Sequence, residues 1–297
     1  MPVVVMVPPA VIDKWTTEWA VFEEICLSPG YGLRASQPLR RGSDFLKVLD
    51  DPPETRSHII FLTHGALTGN LNDPFIRLAL LRRATLRQSN GPELRHAIAR
   101  IAAQLLGDPR FDPGNAEVLL ESPLSQWREV WEDFLIQAPL DDDPVPRALD
   151  GALSGVDLTP LREALALIPL RQSNTFRARM KAARQQISQT LNQTWKEALQ
   201  SLDVHLPLLI LDEAHHVKNP TRLSRLFDNE VAEEDAEALQ GPLGGMFSKM
   251  LFLTATPFQL GHDELLSVLS RFHGVDWPSN IARNRYDQQL DQLSSAL

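Results

Sequence analysis

The run Leu206-Pro-Leu-Leu-Ile-Leu-Asp-Glu-Ala-His-His-Val-Lys-Asn219 decides how the rest of the chain is read. Leu208 to Leu211 is continuously aliphatic and meets two carboxylates, Asp212 and Glu213, without a break. A strand covered by helices on both faces reads this way, because it has no solvent face to alternate toward. In open α/β sheets, ligands bind outside the carboxyl ends of such strands. A strand ending in Asp-Glu therefore delivers an oxygen suited to a hard cation, and a second suited to accept a proton.

Outward from this run, the text alternates strands and helices. Lys249-Met-Leu-Phe-Leu-Thr-Ala-Thr-Pro-Phe258 is another aliphatic strand, ending in Thr254, Ala255 and Thr256. Val3 to Val7 reads as a buried strand. Pro8-Pro9 ends it, and Ala10 to Phe22 follows as a helix with Val11, Trp15, Trp19 and Phe22 at helical spacing. His58 to Gly65 is a strand and a glycine turn, and a further short strand is expected near Ile25 to Leu27. From Asp73 to about Leu202 the pattern is mainly helical. Helices are expected at Phe75 to Leu86 (amphipathic, with Arg77, Arg82 and Arg83, and Arg87 just beyond), Glu93 to Leu106, Ser125 to Ile136 and Thr175 to Leu202. Ala138 to Pro160, rich in Pro and Gly, reads as a loop. Beyond the Asp-Glu run, short helices are expected at Pro220 to Phe227, Val231 to Leu239 and His262 to Phe272. Gly241 to Gly245 is a turn, and the polar tail from Arg283 can be helical.

At 297 residues, with 43% hydrophobic and 23% charged residues, the composition is that of a globular domain or two. No apolar run approaches the roughly 20 residues that cross a bilayer. The segment Met1-Pro-Val-Val-Val-Met-Val7 lacks the basic region of a signal peptide. One cysteine, Cys26, excludes an internal disulfide and a multi-cysteine zinc site. A cytoplasmic protein without a membrane partner is expected. The net charge of −9 argues mildly against nucleic acid, although one local basic face can suffice. Such a face could be the start of the long helix, with Arg177, Arg179, Lys181 and Arg184; a solvated helix face is the commoner meaning of such a run.

The Asp212-Glu213-Ala214-His215 run resembles the DEAH form of the Walker B motif of superfamily 2 helicases and translocases. Thr254-Ala255-Thr256 resembles their motif III, and Val7 to Trp15 resembles motif Ia. The His58 to Gly65 segment is similar to the surroundings of motif Ib. The continuations His-His-Val-Lys-Asn and Thr-Pro-Phe-Gln resemble the Swi/Snf-like branch, and the Ala of Thr-Ala-Thr fits its bacterial members best. The resemblance implies an α/β fold: an incomplete RecA-like (P-loop NTPase) parallel sheet with a large helical insertion. Residues 1–72 and 203–275 would form the two parts of the ATP-binding lobe, 73–202 the insertion and 276–297 a tail.

The resemblance also assigns roles. Asp212 would hold Mg²⁺ beside ATP, and Glu213 would orient and deprotonate the attacking water. His215 would link the phosphate end to motif III by hydrogen bonds to Thr254 or Thr256. Pro8, Pro9, Lys14, Thr63, His64 and Gly65 would contact DNA, double-stranded in this branch. Read on their own, Asp212 and Glu213 could merely favour the start of the next helix, and Trp15 and Trp19 could simply pack. Zinc is disfavoured because the HExxH spacing is absent.

No Gly-x-x-x-x-Gly-Lys-Ser/Thr occurs in these 297 residues. That loop would cradle the β- and γ-phosphates. The second lobe, with its arginine finger, has no counterpart either. The expectation is half of a motor, completed by a phosphate-loop segment and a second lobe in cis or in trans, and inactive alone. An exposed edge is expected at the motif III strand, where the loop-bearing strand would lie. The alternative is a non-catalytic interaction module derived from such a lobe.

Overall fold

Four short aliphatic segments form one parallel sheet in the order β2-β1-β3-β4. They are β1 (Val3–Val7), β2 (Ile59–Thr63), β3 (Leu209–Leu211) and β4 (Met250–Phe252). The computed structural model describes residues 1–27, 32–86, 88–136, 138–153, 155–169, 174–217, 224–227, 243–255 and 262–296. The expected helix at Val231 to Leu239, and Thr256, lie outside them. The chain divides into a sheet unit, Met1–Gly69 with Leu202–Leu297, and a helical unit, Asn70–Ser201. The expected insertion at 73–202 differs from the helical unit by three residues at one end and one at the other.

The aliphatic text is explained by burial. Val4, Met6, Val7, Ile60, Leu62, Leu209 and Leu211 are fully buried. Each such side chain contributes about 1.5–3 kcal/mol relative to exposure. Register runs Val7 with Thr63, Met6 with Leu211, and Leu211 with Phe252, so all four carboxyl ends lie at one edge. After β1, a turn closed by Val11 N–H to the Pro8 carbonyl leads into helix α1, Ile12–Cys26. Val11, Trp15 and Trp19 pack on Val5, Val7, Ile12 and Phe61. No strand forms at Ile25 to Leu27, because α1 runs through Cys26. Helix α2, Gly42–Asp50, precedes β2.

The two sides of the sheet differ. Along β2, Ala35 and Leu39 make parallel bridges to Ile59 and Leu62. Ser36 N–H donates to the Ile59 carbonyl (2.8 Å), and Leu39 N–H to that of Phe61 (2.9 Å). At the other side, Phe247 bridges both Leu206 and Val275, but among the described residues β4 has β3 as its one strand partner. Leu251 on β4 is 47% exposed. A hydrophobic strand edge invites pairing with other chains. Leu251→Thr is expected to lower self-association, read by light scattering, with little change in the unfolding midpoint. A loss of more than about 2 kcal/mol, the size of a buried leucine's contribution, would show that Leu251 is covered.

In the helical unit, α3 (Pro74–Thr85) is capped by Asp73, whose Oδ1 accepts from Ile76 N–H at 3.0 Å. It was expected to be amphipathic, yet Phe75, Ile76, Leu78, Ala79, Leu80, Leu81, Ala84 and Thr85 are all buried, which makes it the central helix of its unit. The expected helix from Glu93 to Leu106 is interrupted, as α4 (Gly91–Ala99) and α5 (Ala102–Leu106). Then come α6 (Pro113–Glu121), α7 (Trp127–Glu129) continuing as a π-helical turn Val130–Leu135, and α8 (Arg147–Ala152). Helix α8 and the start of α9 (Thr159–Ala166) lie where a loop was expected. The long α10, Phe176–Gln200, buries Ala183, Ile187, Thr190, Leu191, Thr194, Trp195 and Ala198 along one stripe. Arg177, Arg179 and Lys181 are exposed, as on a solvated face.

The end of the sheet unit is α11 (His262–Ser270) and α12 (Asn280–Ala296), so the polar tail is helical. Tyr286 of α12 donates to the Leu269 carbonyl at 2.6 Å, and Phe272 stacks on Phe252 of β4. Among the described residues no helix is long and apolar enough to cross a membrane.

Candidate functional site at the carboxyl edge of the sheet

The strand order places the site. The chain leaves β1 toward β2 on one side, and leaves β3 toward β4 on the other. Neighbouring strands whose connections diverge open a crevice at their carboxyl ends, and ligands bind there in open parallel sheets. Pro8 follows β1 and Asp212 follows β3, so both flank that crevice. The ladder continues past the strands: Asp212 N–H donates to the Met6 carbonyl, and His64 N–H to that of Val7, each at 2.9 Å.

Asp212 is held from two sides. Its Oδ1 accepts from Glu213 N–H at 2.9 Å, and its Oδ2 accepts from the Trp15 indole N–H at 2.8 Å. Glu213 has a φ of 53°, the one positive value among the described non-glycine residues. That conformation crowds its Cβ against the backbone. Strain of this kind concentrates at functional sites. The turn then enters a short 3₁₀ segment, Ala214–Val217. Ala214 N–H donates to the Leu253 carbonyl at 2.8 Å, and Leu253 N–H to that of Leu211 at 2.8 Å. The Asp-Glu turn is thus tied to the end of β4 through the main chain.

Three histidines surround this turn. His64 is 9% exposed, and its Nε2 lies 3.0 Å from the Asp212 carbonyl oxygen. A carbonyl only accepts, so Nε2 carries the proton. Burial lowers the His64 pKa to about 4, opposed by the bond to the Asp212 carbonyl; His216 lowers it further and the Asp212 carboxylate raises it. His215 Nδ1 is 3.1 Å from Glu213 Oε2, but the contact is misaligned and this nitrogen has no hydrogen-bond partner among the described residues. The rings of His215 and His216 lie 4.3 Å apart. Of the two expected partners of His215, Thr254 closes the end of β4 and Thr256 lies outside the described residues.

The neutral His64 ring makes stability pH-dependent. Its folded pKa lies below the usual 6.5, so the unfolded chain binds the proton first. The stability that the neutral ring contributes is complete above about pH 6.5 and is lost as pH falls toward about 4. About 3 kcal/mol is at stake, at 1.36 kcal/mol per unit. Chemical denaturation across that window should show His64→Gln losing much of this dependence. An unchanged slope would place the ring in solvent.

The other expected contacts separate by exposure. Pro9, Lys14 and Gly65 are exposed and Pro8 half-buried, whereas Thr63 and His64 are buried where β2 ends. Arg40, which sequence reading passed over, donates to both Asp13 oxygens at 2.9 Å and reaches the Pro9 carbonyl at 3.4 Å. Thr254 is half-buried and Ala255 exposed. Trp15 was read as a packing residue, and it packs. Its indole N–H has a second role, as a donor to Asp212, of the kind that covered indoles commonly take and that Trp19 does not.

Among the described residues, no three His, Cys, Asp or Glu side chains are grouped to hold a metal. A single strand-end carboxylate suits a cation that arrives with phosphates, as Mg²⁺ does. No protein-family model, curated protein or solved structure matches the chain significantly.

Proposed function

We propose that the sheet unit is part of the ATP-binding lobe of a DNA-dependent helicase or translocase of RecA-like design. The observation that carries this reading is the position of Asp212-Glu213 at the diverging β1/β3 crevice. The order of the resembling segments along the sheet supports it: the motif Ib-like β2, motif Ia-like β1, Walker B-like β3 and motif III-like β4 are neighbours in that sequence.

Asp212 would hold Mg²⁺ carried by ATP, and the cation would neutralise charge on the phosphates. Glu213, with its carboxylate half-exposed, would accept a proton from water at its free oxygen. The Ala214 to Leu253 bond would pass movement of this turn to β4. Pro9, Lys14, Gly65 and Arg40 form the exposed polar rim that DNA would meet, with main-chain and basic groups suited to phosphates.

The site so described is a half-site. The Gly-rich loop supplies amides and a lysine to the phosphates, and an arginine finger alone contributes about 10³–10⁵ in rate. The pure chain is therefore expected to show no ATP turnover above background. Adding a loop-bearing segment and second lobe should produce turnover that Asp212→Asn removes. Hydrolysis by the pure chain that disappears in Asp212→Asn would contradict the half-site reading.

A further inference from the structure

We infer that Trp15 is a positioning residue for the Asp212 carboxylate, which rests on the reading of Asp212 as the residue that holds the cation. Its indole N–H donates to Oδ2 at 2.8 Å across 197 residues of sequence. With the Glu213 N–H on Oδ1, the two donors fix both oxygens and therefore the side-chain rotamer. Each oxygen keeps acceptor capacity, since a carboxylate offers about four lone-pair sites. The indole is uncharged, so it orients Asp212 without neutralising it. Trp15 is itself held, because its ring packs on the cluster of Val5, Val7, Ile12 and Phe61. The carboxylate at the end of β3 thus takes its orientation from α1, a helix anchored after β1 on the opposite wall of the crevice. A packing tryptophan elsewhere on α1 lacks this geometry: Trp19 Nε1 is buried without a partner among the described residues.

Groups that orient a metal ligand typically contribute about 10–100-fold to affinity. Trp15→Phe keeps a ring on the cluster and removes the donor. Mn²⁺ affinity, measured with ATP present by electron paramagnetic resonance of free Mn²⁺, is expected to fall about tenfold in Trp15→Phe, with the circular dichroism unchanged. Equal or tighter binding overturns the inference. Binding that Asp212→Asn leaves unaltered overturns the cation site itself, and the role of Trp15 with it. Should Trp15→Phe not fold, the wild-type chain decides: Mn²⁺ with ATP broadens the Trp15 indole proton ahead of the other five indoles, or the inference fails.

Discussion

Trp127→Ala is expected to destabilise the helical unit by about 3–5 kcal/mol, the range for deleting a buried tryptophan. Trp127 is fully buried. It stands against Phe75, whose ring meets Phe111 at 5.1 Å and Trp131 at 4.8 Å in edge-to-face geometry. Phe111 and Trp131 lie 5.0 Å apart, so four rings share one core. The indole also donates to the Leu119 carbonyl at 2.8 Å and lies 3.2 Å from that of Ser122. Leu119 is in the last turn of α6, where carbonyls lack helical partners. Alanine would therefore leave both a cavity and an unsatisfied end of α6. Trp127→Phe should cost less, about 1–3 kcal/mol, chiefly for the carbonyls. Urea unfolding gives the magnitudes, and limited proteolysis should cut first within Asn70–Ser201. A change below about 1 kcal/mol for the alanine variant, the level of an ordinary substitution, would mean that the ring cluster is not the core of that unit.

If the chain has the proposed function, Glu213→Gln is expected to lower ATP turnover of the completed motor by about 10²–10⁴, the range for removing a general base. The amide keeps the shape of the carboxylate, but its NH2 donates where an oxygen accepted, and it does not take up the proton. Stability should change little, since Glu213 is half-exposed. Glu213→Gly separates the chemistry from the backbone. Glycine takes a φ of 53° without crowding, so this variant should be as inactive and yet more stable by about 1 kcal/mol. A less stable glycine variant would mean that the left-handed turn is not strained. Turnover retained in Glu213→Gln would remove Glu213 from the reaction.

Much of the sheet was legible because parallel strands carry unbroken aliphatic text. Val3–Val7, Ile59–Thr63, Leu209–Leu211 and Met250–Phe252 all lie within runs read as strands. Their common carboxyl edge brings Pro8, Gly65, Asp212 and Thr254 to one end of the sheet. The expected strand near Ile25 to Leu27 was misread: three apolar or neutral residues fit the last turn of α1 as well as a strand, and local text holds no period at that length. Helix α8 was hidden by flanking prolines, which mark a helix start as readily as a loop. The bonds that organise the site were the least legible. Trp15 to Asp212 and His64 to the Asp212 carbonyl join residues 197 and 148 positions apart. Each depends on strand order, which no local pattern encodes.

The central claim is that a phosphate-borne divalent cation is held at Asp212 in the crevice between β1 and β3. Titrating Mn²⁺ with ATP into the ¹⁵N-labelled chain and following paramagnetic broadening tests it directly. The amide signals of Asp212, Glu213 and Ala214 should lose intensity first, and Asp212→Asn should abolish that order. Broadening that begins elsewhere, for example at the acidic run Asp141 to Asp143, or that is identical in Asp212→Asn, would contradict it.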